Sequence, residues 1–343
     1  MTWWDALVRA GAVPAAYVPP ASMGRTDADD GAEPGADLVE GDAVAVHAVA
    51  LAPPPPASFL DGIEHWKVVG YDGVLPVVRA YVAAAVRRRG PDRRLRTAFE
   101  ASREFAIAPL AGLAPERRRA LEEHCPDVVD ISIEEGTQPG RVLELARRAV
   151  DSARQALERQ LAERALARLG ETEWLVVDGL LSVSGKLAGH PRALGVIKSH
   201  GAQFFSGADL ERALTVPADT RTSVFRARGG HARNEVYSWY LRLWPWEGND
   251  LLYGLLRIEA RADEATIANA GATSGWLLAE RAPIATPDMR WDRLLYPIHD
   301  VETYLKARAP RDLSASRTSR LPRTGTCSRV QIPSPSAASW RPS

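Results

Sequence analysis

The stretch FLDGIEHWKVVGYDGVLPVVRAYVAAAV, residues 59–86, runs an apolar segment straight into Asp61-Gly62 and then continues through a second Asp-Gly pair at Asp72 and Gly73. Residues 59–61, 66–71 and 75–86 read as three strand candidates, with YDG at Tyr71 as a hairpin signal, so the segment predicts an antiparallel meander. Further on, WLVVDG, residues 174–179, repeats the pattern of a hydrophobic strand ending in Asp-Gly at Asp178. A carboxylate at the end of a buried strand is costly unless something compensates it. The compensating group expected here is a divalent metal ion.

Outward from this stretch, PPPP at residues 53–56 is a stiff, extended spacer, so residues 53–309 are expected to form the main domain and residues 1–52 an N-terminal extension and linker. Residues 3–11, led by Trp3 and Trp4, suit a short amphipathic helix, and the acidic run from Thr26 suits an exposed loop. Residues 95–137, carrying APERRRALEEHCP and most of RRLRTAFEASREF, read as an inserted helical pair. A long helix follows over about 141–169, where Leu143, Ala146, Ala153, Leu157, Leu161 and Ala165 fall at helical spacing, and Gly170 stops it. Beyond WLVVDG come the apolar run ALGVIKSH and a hairpin, EVYSWYLRLWPW and LLYGLLRIEA, joined by EGND. Two helices are expected near 262–270 and 300–306. Residues 310–343 are Ser-, Arg- and Pro-rich without periodicity, which predicts a disordered tail.

Composition narrows the function classes. With 45% hydrophobic and 25% charged residues the chain can build a large core. Its 43 basic and 43 acidic residues cancel, so a nucleic-acid site must be a local patch rather than a whole-chain field. Cys125 and Cys327, far apart and without a CxxC, argue against a disulfide framework or a structural zinc site and suit a reducing, cytoplasmic setting. No run approaches the roughly 18 apolar residues of a membrane span, and no export signal is visible.

Three antiparallel strands, a helix and a strand ending in a second aspartate follow the element order of the RNase H-like scaffold. The expected fold is therefore α/β, a mixed sheet flanked by helices, with a helical insertion. Taken in order, FLDG, the acidic helix, VVDGLL, VIKS and the YLRL and LLRIEA hairpin resemble the NurA family of DNA-repair nucleases over about residues 56–306. That resemblance implies a deoxyribonuclease dependent on Mn²⁺ or Mg²⁺, a 5′-to-3′ exonuclease and endonuclease of DNA end resection. It also implies a homodimer working with DNA and a HerA-type hexameric ATPase.

Asp61 and Asp178 are the expected metal ligands, although each alone has an ordinary reading as a turn residue. A paired-metal site needs a third carboxylate, which the resemblance draws from the preceding helix. Glu158, at the margin of the apolar stripe, is preferred, with Glu163 in reserve and Glu144 on the same helix. Lys198 interrupts an apolar strand and matches the family's lysine, a fixed charge for phosphate, unless it only snorkels to water. His299, in RLLYPIHDVETYL, is a candidate ligand or proton donor, with Asp300 as its competitor and as a candidate N-cap.

Other signals carry less. Arg87, Arg88 and Arg89 suit either a phosphate track or a solvated surface. The aromatic set Tyr237, Trp239, Tyr240, Trp244 and Trp246 suits sheet core better than base stacking. Trp3 and Trp4 are candidate subunit anchors or cover for the domain's own core. GLLSVSGK is one residue too long for a nucleotide loop and has Leu187 where a hydroxyl is required. The rival reading is a catalytically inert nucleic-acid-binding or assembly subunit, and the discriminator is convergence of a third carboxylate on Asp61 and Asp178.

Because residues 310–343 offer no periodic apolar face, truncation after Ala309 is expected to leave the thermal midpoint unchanged within error. Loss of soluble protein on truncation would show that the tail packs.

Overall fold

The computed structural model describes residues 2–14, 34–92, 94–125, 127–134, 136–198, 202–229, 234–281, 295–310 and 313. The N-terminal part contains α1 (Trp3–Arg9), β1 (Val13–Pro14), β2 (Gly35–Leu38), β3 (Val46–Ala48), β4 (Ala57–Asp72), β5 (Leu75–Arg89) and β6 (Leu95–Ala108). There follow α2 (Pro115–His124), β7 (Val128–Asp130), α3 (Pro139–Leu166), β8 (Trp174–Asp178), α4 (Gly185–Ala188) and β9 (Ala193–Ile197). The remainder comprises α5 (Gly207–Leu214), β10 (Thr220–Thr222), β11 (Phe225–Arg228), β12 (Val236–Arg242), β13 (Leu255–Arg261), α6 (Glu264–Ala279) and α7 (Tyr296–Arg308).

All thirteen described strands share one mixed sheet, whose main path is β2-β11-β12-β13-β9-β8-β4-β5-β6-β7. The antiparallel meander is present as β4-β5-β6, but its members differ from the sequence expectation. Residues 59–61 and 66–71 are parts of one 16-residue strand, β4, that pairs with β5 from Ser58↔Arg88 to Asp72↔Leu75 with a single irregularity between Val68 and Gly70. Gly62 therefore makes no turn, and Asp61 lies within a strand rather than at its end. The second Asp-Gly pair does form the hairpin turn, with Gly73 at φ 56°, a conformation that favours glycine.

The helical pair expected over 95–137 is corrected in its first half. LRTAFEASREFAIA is β6, and only α2 is helical in the expected place. Its charges look like helix i,i+4 pairs in sequence but serve cross-strand and loop partners. Arg79 of β5 donates to Glu104 at 2.7 Å, and Arg103 grips Asp127 with two bonds of 2.6 Å. The continuous buried run Phe105, Ala106, Ile107 and Ala108 at the end of β6 is what a strand covered on both faces requires.

Both faces of the sheet centre are covered. Leu60, Ala84, Val86, Leu175 and Val177 pack with Leu161, Ala162 and Ala165 of α3. Phe59, Ile63, Ala83, Ala85, Val176 and Leu194 pack with Trp276 of α6 and with Ile298, Val301 and Leu305 of α7. The period of two along β4, β5 and β8 sorts residues between these layers, and the alanines of β5 let helices come close. The segment before Pro53 is built into the same body: β2 pairs with β11, β3 with β10, and Trp3 is 1% exposed in a cluster with Leu7, Val77, Ala106 and Leu121. Trp3 thus covers the protein's own core, while the Trp4 ring lies 4.0 Å under the Arg79 guanidinium.

The long helix runs as α3, and the WLVVDG strand and the β12–β13 hairpin lie where expected. α6 extends to Ala279, nine residues past its expected end, and is capped by Asp263 accepting from the Thr266 N–H at 2.8 Å. α7 begins at Tyr296 with Pro297 in its first turn, so Asp300 is an interior residue and not a cap. No described helix is long and apolar enough to cross a membrane. The expected tail falls outside the described residues apart from Pro310 and Leu313; of the acidic run from Thr26, residues 26–33 lie outside them, and the part expected as a loop is corrected by Gly35–Leu38, which pairs with β11 as β2.

Two glycines of α6 separate propensity from packing. A Cβ at Gly271 meets open space, whereas one at Gly275 would collide with the carbonyl oxygen of Ala50. Gly271→Ala is expected to stabilise by about 0.5–1 kcal/mol, and Gly275→Ala to destabilise by about 1–3 kcal/mol, measured by chemical denaturation.

Candidate functional site

β4 and β8 run parallel, with Leu60 beside Val177, so the next residues, Asp61 and Asp178, are neighbours at the end of β8. Alternation places both on the face covered by α7, since Phe59 and Ile63 flank Asp61 there and Val176 precedes Asp178 there. Lys198 follows β9 and shares the face of Leu194 and Val196. Its Nζ lies 2.6 Å from Asp178 Oδ2. Asp61 is 6% exposed, and its Oδ1 accepts from the Gly62 N–H at 2.7 Å.

The electrostatics follow from two carboxylates sharing one ammonium. Burial, and then the charge of Asp178, raise the Asp61 carboxyl well above the usual range, against the opposing pull of Lys198. Burial alone would pull Lys198 down, but Asp178 and Asp61 outweigh it and hold the ammonium above its ordinary value.

The loop after Asp178 is built to a tight specification. Gly179 has φ 142°, and its N–H donates to the Val196 carbonyl at 3.0 Å. A Cβ on Gly195 would stand 2.6 Å from the Gly179 oxygen, so this Asp-Gly and a glycine on β9 are needed together. The N–H groups of Leu181 and Ser182 donate to Glu259 Oε2 at 2.9 and 3.2 Å, and Arg257 Nη1 donates to Glu259 Oε1 at 2.8 Å. Sequence reasoning missed this buried anchor. Its signal was present in LLRIEA, where Arg and Glu two apart interrupt an apolar strand on one face.

Glu158 is buried on α3, on the opposite face of the sheet. A Cβ on Gly62 would collide with Glu158 Oε1, so the missing side chain of Gly62 is what admits the carboxylate to the strand. Arg154 holds it: Nη1 donates to Glu158 at 2.5 Å, Nη2 to Asp151 at 2.6 Å and Nε to Glu64 at 3.1 Å. Burial pushes the Glu158 carboxyl up to about 7, with Arg154 opposing, and the charge of Asp178 adds to the rise. The structure thus brings Asp61, Asp178 and Lys198 together and leaves Glu158 across the strand, within electrostatic reach. Among the described residues no three His, Cys, Asp or Glu side chains gather closely enough to hold an ion by themselves. Glu163 points elsewhere, to Ser184 Oγ at 2.8 Å and Lys186 Nζ at 3.0 Å, and Glu144 pairs with Arg141.

From α7, His299 Nδ1 lies 3.4 Å from Glu302 Oε2, and His299 Nε2 lies 3.3 Å from the Thr303 hydroxyl. Glu302, which sequence reasoning did not single out, also takes Lys306 Nζ at 2.5 Å. Burial would raise its carboxyl, but Lys306, Lys198 and His299 outweigh that and lower it. Asp300 turns away to pair with Arg87. Arg88 and Arg89 pair with Glu173 and Glu280, so all three arginines considered for phosphate contact have carboxylate partners. Trp239 and Tyr240 are sheet core, and Trp239 Nε1 donates to Ser274 Oγ at 2.9 Å. In comparisons with known proteins the chain matches no family model and no curated sequence.

The contact of Gly62 with Glu158 is testable. Gly62→Ala is expected to cost about 1–3 kcal/mol through overpacking. Adding Glu158→Ala, which leaves Arg154 with Asp151 and Glu64, should make the double variant less destabilised than the sum of the singles. Strict additivity in denaturant melts would show that the two do not meet.

Proposed function

We propose that this chain is a divalent-metal-dependent nuclease acting on DNA, built on a sheet of RNase H-like type. The observation that carries the reading is the buried pair Asp61 and Asp178 on adjacent parallel strands, facing one way, with a single ammonium shared between the two carboxylates. The donors are carboxylate oxygens, which suit hard cations. Mg²⁺ in particular is often held by one or two carboxylates, with its other positions left to water and substrate phosphate. Asp61 and Asp178 are the residues that would hold Mg²⁺ or Mn²⁺. Bound there, the ion supplies an activated water and charge stabilisation at phosphorus.

The protein's own groups do the rest. Lys198 stands on the same face to meet a phosphate oxygen. Hydrolysis joins the water oxygen to phosphorus and breaks a phosphorus–oxygen ester bond, so one proton leaves the water and one reaches the departing oxygen. His299, on the helix over this face, is the imidazole suited to one of those transfers. Glu158 and Arg154 back the strand from behind. The likeness of the motifs to the NurA family extends the reading to a cytoplasmic homodimer that resects DNA ends with a HerA-type ATPase. With no net charge on the chain, DNA contact is local.

A second reading, an inert nucleic-acid-binding or assembly subunit, is favoured by the position of Glu158, which faces Gly62 and Arg154 rather than the aspartate pair. Cleavage of labelled linear DNA with Mg²⁺, Mn²⁺ or EDTA decides between them. Asp61→Asn and Asp178→Asn are expected to reduce cleavage to background, and Glu163→Gln to have little effect. Asp61→Asn should melt at or above the wild type, because it removes a buried repulsion, whereas Asp178→Asn should melt lower, because Lys198 loses its partner. If both Asn variants keep full activity, or the wild type cleaves nothing with or without the ATPase, the inert reading stands.

A further inference from the structure

Glu158 touches the strand rather than the aspartates, and the residue it touches is the one that orients Asp61. The Trp174 N–H donates to the Pro56 carbonyl, so the even-numbered residues of this stretch turn their backbone groups toward β8, whose pairing with β4 ends at Leu60. The Gly62 N–H therefore points past the last paired residue, and Asp61 Oδ1 takes it at 2.7 Å. The direction of the Asp61 carboxylate follows the Gly62 peptide.

That peptide is held from the other face. A Cβ built on Gly62 would stand 2.9 Å from both Cγ and Cδ of Glu158 and would collide with its Oε1, so the end of the glutamate lies against the strand backbone. A glycine inside a strand weakens it and often marks such a close approach. The end of a glutamate side chain ordinarily swings aside, but this one is 8% exposed, and Arg154 Nη1 donates to the same Oε1 at 2.5 Å. Arg154 also donates to Asp151 of α3 and to Glu64 of β4. Glu64 and Gly62, two residues apart, share a face of the strand. α3 thus grips β4 at two points beside Asp61.

We propose that Glu158 is a positioning residue for Asp61: clamped by Arg154, it holds the Gly62 peptide from behind the strand, and the Gly62 N–H in turn fixes the Asp61 carboxylate. The inference rests on the divalent site proposed above for what Asp61 does, while the packing and the hydrogen bond it invokes stand apart from that reading.

The test uses the full chain and three variants. Glu158→Gln keeps the side-chain length and an oxygen for Arg154, whereas Glu158→Ala removes the contact. Gly62→Ala pushes Glu158 off from the strand side and serves if Glu158→Ala folds poorly. Without metal, hydrogen exchange read by NMR should show the Gly62 amide about tenfold faster in Glu158→Ala, with the β8 amides unchanged, and within about twofold of the wild type in Glu158→Gln. In calorimetric titration with Mn²⁺, Glu158→Ala and Gly62→Ala should each weaken binding about tenfold, as loss of a group that orients a ligand does, and Glu158→Gln by less than about twofold.

Weakening by Glu158→Gln as large as that by Glu158→Ala would place the effect in the charge rather than the contact and overturn the proposal. Wild-type amide exchange and Mn²⁺ affinity in Glu158→Ala would overturn it as well. If the wild type binds no Mn²⁺, the divalent site falls, and exchange of the Gly62 amide alone decides whether Glu158 orients Asp61: faster exchange in Glu158→Ala upholds the clamp, and unchanged exchange removes it.

Discussion

The parallel register of β4 and β8 is the constraint on which the site depends. With Leu60 beside Val177, the side chains one residue on are forced to be neighbours on one face, and both are aspartates. Two carboxylates so placed cannot both be satisfied by one lysine, and the surrounding structure is arranged around that imbalance. Lys198 comes from the third parallel strand, α7 closes the face, and the Gly179–Gly195 crossing sends the chain away so that Asp178 ends β8.

The two sides of β4 handle buried charge differently. Behind the strand, Arg154 bonds to three carboxylates, Glu158, Asp151 and Glu64, one through each guanidinium nitrogen. Under β13, Arg257 and Glu259 form a closed unit, with Glu259 spending its second oxygen on two backbone N–H groups. Networks of this kind are satisfied within themselves and hold their geometry. The Asp61, Asp178 and Lys198 group is not closed. There Asp61 and Asp178 face one ammonium beneath α7, and burial with the charge of Asp178 raises the Asp61 carboxyl.

Local charge pairing also absorbs what looks like a basic patch. The run Arg87, Arg88 and Arg89 looks like a basic patch in sequence, yet its guanidiniums are committed to Asp300, Glu173 and Glu280, and Arg89 also lies over the Phe59 ring. These arginines tie α7, the loop before β8 and the end of α6 to the C-terminal end of β5. Their role in the fold is to lock the layers that frame the site.

Much was legible from local pattern. The period of two in WLVVD and in the β12–β13 hairpin, and the period of 3.6 in α3, are properties of neighbouring residues and needed no partner to be read. The same holds for the two aspartates and for Lys198 as polar interruptions of apolar strands. What the sequence could not convey were facts set by pairing. Whether Gly62 turns or continues depends on β5 being long enough to pair through it. Whether LRTAFEASREF is helix or strand depends on Arg79 and Asp127 lying across from its charges. Choosing Glu158 over Glu163 was possible from the edge of the apolar stripe, but only the packing of α3 on the sheet shows that Glu158 meets the strand behind Gly62 and not the aspartates in front. The alternation of a strand assigns faces, and only tertiary packing decides which helix stands on each.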